Sequence, residues 1–150
     1  MPQFIEFMIN RWDLFLALSI ILALMFGGGV LRRIRGYKDI EPKEAVLMLC
    51  HDSAVIVDVR EENEFKEGHV LNAIHIPLGK LAGRIGELDS YKSHEVIVNC
   101  RSGHRSASAC ARLRKEGFEK VYNLKGGIMA WSNAELPIHK PGKGKKRKEK

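Results

Sequence analysis

Two short β-branched runs constrain this chain most: Ala54-Val-Ile-Val-Asp-Val59 and Glu95-Val-Ile-Val-Asn99. Each is apolar at successive positions rather than alternate ones, so neither can leave a face in water. Strands of this kind belong in a parallel sheet covered by helices on both sides. The segments between them carry the matching signals. Glu41 to Cys50 is helical in pattern, with Pro42 in the first turn, where a missing N–H is harmless. Glu61 to Lys66 reads as a short helix stopped by Gly68, and Leu78, Leu81, Ile85 and Leu88 recur at helical spacing through Leu88. Ser106 to Glu116 reads as a helix closed by Gly117, and Ile128 to Ala134 as a last short one. Ala73 to Ile76, ended by Pro77, and Val121 to Leu124 supply further strands. Strands separated by helices predict an α/β fold with a parallel sheet, whose reactive groups gather at the carboxyl ends of the strands.

One such end carries chemistry. Asn99 closes a strand, Cys100 follows at once, and Arg101-Ser-Gly-His-Arg105 leads into the helix expected at Ser106. Gly103 allows a tight turn, and Ser106 has the side chain of a helix cap. A loop wrapped around a helix start turns several backbone N–H groups inward, towards the positive end of the helix dipole. An anion at the centre is stabilised, so the Cys100 thiol is expected to ionise easily and act as a nucleophile. Arg101 and Arg105 add charge able to attract an anionic substrate, and His104 stands between them. Cys50 and Cys110 read as core fillers, with Cys110 a weaker candidate for resolving a bond formed on Cys100. Three cysteines without close pairing argue against a disulfide framework, and scattered histidines argue against zinc, so neither metal nor cofactor is expected.

Cys100-Arg-Ser-Gly-His-Arg-Ser106 resembles the active-site loop of single-domain rhodanese-like sulfurtransferases, of the form C-R-x-G-x-R-S. Val57-Asp-Val-Arg-Glu-Glu-Asn-Glu-Phe-Lys-Glu-Gly-His-Val70 with Asn72-Ala-Ile-His-Ile-Pro77 is similar to that family's first signature, and Val121-Tyr-Asn-Leu-Lys-Gly-Gly-Ile-Met-Ala-Trp131 to its closing one. The resemblance implies a five-stranded parallel sheet flanked by helices over 40–137. It also implies a double displacement: a donor such as thiosulfate or a persulfide leaves sulfur on Cys100, and a thiol or cyanide acceptor removes it. Carried over residue by residue, Cys100 matches the persulfide cysteine, and Arg101, Ser102, Gly103, His104 and Arg105 match the anion-binding loop. Asp58, Arg60 and Ser106 fall in supporting positions, with salt bridges from Asp58 and Arg60 orienting the loop. Gly126-Gly127 and Trp131 look like turn and packing elements.

Two rivals follow from the same residues. Phosphatases of the related fold enclose five residues between cysteine and arginine; here Cys100 and Arg105 enclose four, a bowl better sized for one sulfur atom. A membrane-anchored rhodanese domain serving as an interaction or regulatory module is the other alternative, although a scaffold has no need of a nucleophile.

The flanks differ from the domain. Leu14 to Leu31 holds no charged residue, and as a helix would span about 27 Å, close to the thickness of a hydrocarbon core. Trp12 and the Arg32-Arg33-Ile34-Arg35 cluster suit the two interfaces. With basic residues behind the span rather than before it, a signal peptide fits poorly. The expectation is a single-pass transmembrane helix over 14–31 in a bacterial-type inner membrane. It has a short extracytoplasmic N-terminus at 1–13, a basic linker at 32–39, and everything beyond on the cytoplasmic side. The net charge of +7 resides in that linker and in the tail, while the part between is slightly acidic. The tail 138–150 is expected to be disordered, and its basic run would suit anionic lipid or RNA. A protein partner is also open.

Overall fold

The computed structural model describes residues 13–14, 16–22, 36–51 and 54–140. The chain divides into two units, Met1–Arg35 and Gly36–Lys150. In the first, 13–14 and 16–22 are helical, and Leu14, Leu16, Leu18, Ile20, Ile21 and Leu22 are each about half exposed. The rest of the span expected at 14–31, and the linker up to Arg35, lie outside the described residues. Among the described residues no helix is long and apolar enough to cross a membrane.

The second unit holds a five-stranded sheet in the order β1-β5-β4-β2-β3, parallel throughout. The strands are β1 (Lys38–Ile40), β2 (Ala54–Asp58), β3 (Ile74–His75), β4 (Glu95–Asn99) and β5 (Lys120–Leu124). The helices are α1 (Pro42–Cys50), α2 (Glu62–Glu67), α3 (Leu81–Arg84), α4 (His104–Lys115) and α5 (Gly127–Asn133). As expected from its unbroken apolar character, β4 is buried on both faces. Val96 and Val98 join a cluster with Val57, Leu81 and Leu113, while Ile97 joins one with Ile40, Ala45, Ile56 and Trp131. Full burial of each such side chain is worth about 1.5–3 kcal/mol.

Three expectations are corrected. Lys38–Ile40 is an edge strand, with Ile40 level with Leu124, rather than part of a linker ending at 39. Only Ile40 of its three residues is buried, too short a signal to reveal a strand. The helix expected over 78–88 is broken into a 3₁₀ turn at Leu78–Lys80, α3, and a second 3₁₀ stretch at Ile85–Tyr91. Gly79, Gly83 and Gly86 account for this, each weakening an α-helix by up to about 1 kcal/mol relative to alanine, while Leu81 and Leu88 remain fully buried. Finally, the tail does not begin at 138. His69 and His139 exchange both backbone hydrogen bonds, at 2.9 and 2.8 Å, and Trp131 Nε1 donates to the Pro137 carbonyl at 3.1 Å. The segment 141–150 lies outside the described residues.

Register matters most at the carboxyl ends of β2 and β4. Asp58 stands opposite Asn99, so the residue before Cys100 is held beside a buried carboxylate.

Candidate active site

The loop after β4 is shorter than the sequence implied. α4 begins at His104, and its cap position is Gly103 in a left-handed conformation (φ 96°) without a side-chain cap. Ser106 is therefore not a cap. It is the third residue of the helix, fully buried, with its hydroxyl 3.3 Å from the Cys100 sulfur and 2.6 Å from Asn123 Oδ1. The N–H of Gly103 donates to the same sulfur at 3.1 Å. Cys100 is itself only 1% exposed, so its sulfur lies inside the bowl of donors. Burial opposes ionisation of the thiol, yet the Ser106 hydroxyl and the backbone N–H groups of Ser106, Gly103 and Ser102 outweigh it. The pKa falls below the ordinary thiol value. Cys110 behaves in the opposite way: burial, then the Asp39 charge, hold its thiol well above the usual value, and its S–H donates to the Tyr122 carbonyl. Cys50 is exposed.

The back of the loop is held by α5. The N–H of Ile128 donates to the Cys100 carbonyl at 2.8 Å, and that of Met129 to the Arg101 carbonyl at 3.3 Å. Gly127 (φ 59°) makes this approach feasible: a β-carbon there would lie 2.3 Å from the Cys100 carbonyl oxygen. The Gly126-Gly127 turn thus fixes the loop's carbonyls outward and leaves its N–H groups to face the sulfur.

Asp58 and Arg60 pair with each other rather than with the loop itself. Arg60 Nε donates to both carboxylate oxygens of Asp58 at 3.0 Å, and Nη2 reaches Oδ2 at 2.7 Å, with both residues buried. The same guanidinium donates to the carbonyls of Glu64 and Gly68 at 3.0 and 2.8 Å. Asn99 Nδ2 also donates to Asp58 Oδ2 at 3.0 Å. One buried charge pair thereby ties the end of β2, the whole of α2 and the residue preceding Cys100. The remaining amide oxygen of Asn99 has no partner among the described residues, a cost of about 1–3 kcal/mol.

The two loop arginines differ. Arg101 and His104 are exposed, and their side chains make no hydrogen bond or ion pair among the described residues; the Ser102 side chain is also at the surface. Arg105 is engaged: Nη1 and Nη2 meet Glu64 Oε2 and Oε1 at 2.7 and 2.8 Å. This bidentate pair holds the Glu64 carboxyl down at about 2, helped by the Glu61 N–H against burial, and raises the Arg105 pKa. Glu64, Asn99 and Asn123 are the site residues that sequence reasoning missed. Their partners lie 41, 41 and 84 residues away (Asn123 Nδ2 donates to Asp39 Oδ1 at 2.8 Å), and no local pattern signals such pairings.

A β-strand, a cysteine at its carboxyl end and a ring of N–H donors at a helix start form a nucleophile site in the place parallel sheets provide for one. A family model described as rhodanese-like domain matches residues 41–134. A sulfurtransferase of Allochromatium vinosum is 38% identical over 90 residues, which are 60% of this chain and 82% of the relative. A putative sulfurtransferase of Bacillus subtilis, YtwF, is 40% identical over 82 residues, 55% of this chain and 77% of that one. The crystal structure of a rhodanese-related protein from Thermoplasma volcanium superposes with a TM-score of 0.64 at 28% identity, covering 70% of this chain and all of the other. With the sheet order, the cysteine loop and these matches in agreement over the same residues, the chain belongs to the rhodanese-like domain family.

Proposed function

We propose that this protein is a sulfurtransferase that carries one sulfane sulfur atom on Cys100. The observation that carries the reading is the set of donors converging on the Cys100 sulfur, from Gly103 at 3.1 Å and Ser106 at 3.3 Å. In the first step the thiolate attacks the outer sulfur of a donor such as thiosulfate. A Cys100 S–S bond forms, the donor's S–S bond breaks, and sulfite leaves with its electron pair. In the second step a thiolate or cyanide attacks the terminal persulfide sulfur, the Cys100 S–S bond breaks, and the Cys100 thiolate returns. Neither step requires an oxidant. The inward N–H groups stabilise the thiolate before transfer and the terminal sulfur anion after it, so one set of dipoles serves both half-reactions. Arg101, at the surface of the loop, is placed to meet an approaching anion. The similarity to relatives named as sulfurtransferases supports this reading.

The proposed location is the inner membrane, with 14–31 as a single-pass anchor and the rhodanese domain in the cytoplasm. The uncharged run and the basic cluster behind it support this. The basic tail would then add attraction to anionic headgroups, with RNA the competing polyanion.

Intact mass spectrometry after thiosulfate treatment tests the chemistry. One added sulfur is expected, removed by dithiothreitol and absent from Cys100→Ala; an unchanged mass in the native protein would count against the transfer reading and leave the interaction module. Membrane fractionation with protease digestion from either side tests the location. Recovery of the full-length chain in the soluble fraction would remove the anchor from the proposal.

A further inference from the structure

The loop carries two arginines, yet the charge available to a ligand is smaller than that count. Arg105 is held by Glu64 through two parallel hydrogen bonds, and Glu64 is fixed in turn by the Glu61 N–H at 3.2 Å, in a capping box at the start of α2. The pair is partly buried, with side chains 34% and 26% exposed. Fork-to-fork geometry of this kind satisfies the guanidinium and cancels its field beyond a few Å. Exposed Glu61 on the same helical segment adds further negative charge near Arg105, and Glu62 is matched by Lys66 at 2.6 Å. Among the described residues only Arg101 presents a loop guanidinium without a carboxylate partner.

We propose that Glu64 is a specificity-determining residue: by compensating Arg105 it turns the loop away from small dianionic sulfur donors and towards monoanionic ones, alkyl persulfides above all. A dianion feels a missing unit of positive charge twice as strongly as a monoanion does. In a water-like medium, an uncompensated charge a few Å away is worth about threefold in affinity for a monoanion and about tenfold for a dianion. Thiosulfate is therefore disfavoured relative to a persulfide by the same carboxylate that anchors Arg105. Through its one oxygen, glutamine at position 64 can still accept from Arg105 Nη1 and from the Glu61 N–H, so the substitution removes the charge at the cost of the single hydrogen bond from Nη2.

The choice of donors rests on the sulfur-transfer reading, but the charge compensation does not, and binding separates them. Thiosulfate and methanethiosulfonate, which share a sulfur head group and differ by one charge, are titrated into the full-length Cys100→Ser protein with the Gly103 amide followed by nuclear magnetic resonance. Adding Glu64→Gln should tighten thiosulfate about tenfold and methanethiosulfonate about threefold. The neutral pair Glu64→Gln/Arg105→Gln should bind both within about twofold of the parent, whereas Arg101→Gln should weaken thiosulfate about tenfold. Equal response of the two anions to Glu64→Gln would overturn the proposal. So would a large loss in the neutral pair, since Arg105 would then be touching the ligand itself. If Glu64→Gln does not fold, the neutral pair decides alone. A failure of persulfide formation in the native protein would leave these binding results standing.

Discussion

The Ser106 hydroxyl stands 3.3 Å from the Cys100 sulfur and 2.6 Å from Asn123 Oδ1, with a single proton for two acceptors. Asp39 fixes Asn123 by accepting from its Nδ2 at 2.8 Å, so the amide oxygen must face the serine. The shorter contact favours donation to Asn123 while Cys100 is neutral. Once the thiol ionises, the sulfur becomes the stronger acceptor and the proton turns to it.

Ser106→Ala should therefore raise the Cys100 pKa. Below that pKa, alkylation by iodoacetamide at fixed pH should slow by about three- to tenfold, the net worth of about one ordinary hydrogen bond, since the hydroxyl gives up Asn123 to serve the thiolate. Asn123→Ala should move the rate the other way, by freeing the hydroxyl. The pH dependence of alkylation in both variants checks the pair of signs.

The pKa of Cys100 lies below the ordinary value and that of Cys110 well above it. At neutral pH a limiting amount of iodoacetamide should label Cys100 well before Cys110. Peptide mapping of the labelled protein decides this, and preferential labelling of Cys110 would refute the electrostatic account of the loop.

Glu64 titrates at about 2 in the folded chain against 4.5 for an ordinary glutamate. Because the folded value is depressed, its stabilisation is complete above about pH 5 and is lost as pH falls from about 4.5 towards 2. Solvent screening of the partly exposed pair reduces the contribution to about 1–2 kcal/mol. Urea unfolding at pH 6 and at pH 3 should show Glu64→Gln less stable than the native chain at the higher pH, with the gap narrowing at the lower.

Asp58→Ala should cost about 3–5 kcal/mol, since it strands a buried guanidinium and the Asn99 amide together. Arg60→Lys should also destabilise, because an ammonium cannot serve Asp58 and two carbonyls with a planar fork. Chemical denaturation measures both.

Gly127→Ala should destabilise the domain by about 2–4 kcal/mol, combining a strained positive φ with a β-carbon driven into the Cys100 carbonyl. Gly83→Ala is the contrasting case: its β-carbon meets nothing within 4 Å, and in α3 the change should stabilise by up to about 1 kcal/mol. Melting temperatures of the two variants should shift in opposite directions.

The sheet was readable because β2 and β4 are unbroken apolar runs, and only the interior of a covered parallel sheet accepts such a sequence. β1 was not, since three residues with one buried side chain have no period to detect. Cys100 was legible from its place between a strand and a helix. The helix start was misjudged by two residues because Ser106 has a capping side chain, whereas the chain turns at Gly103, where positive φ decides. Arg105 looked like free charge because its partner is 41 residues away. Local chemistry was visible in the sequence; cancellation of that chemistry by distant residues was not.

The grip of Ile128 and Met129 on the carbonyls of Cys100 and Arg101 means that the reactive loop has no shape of its own to carry elsewhere. Grafted onto another sheet as a bare hexapeptide, it would let its peptide planes rotate and scatter the donors. The smallest transplantable module is the cysteine strand with its helix and the diglycine corner behind them, and protein engineers seeking this reactivity would have to move all three at once.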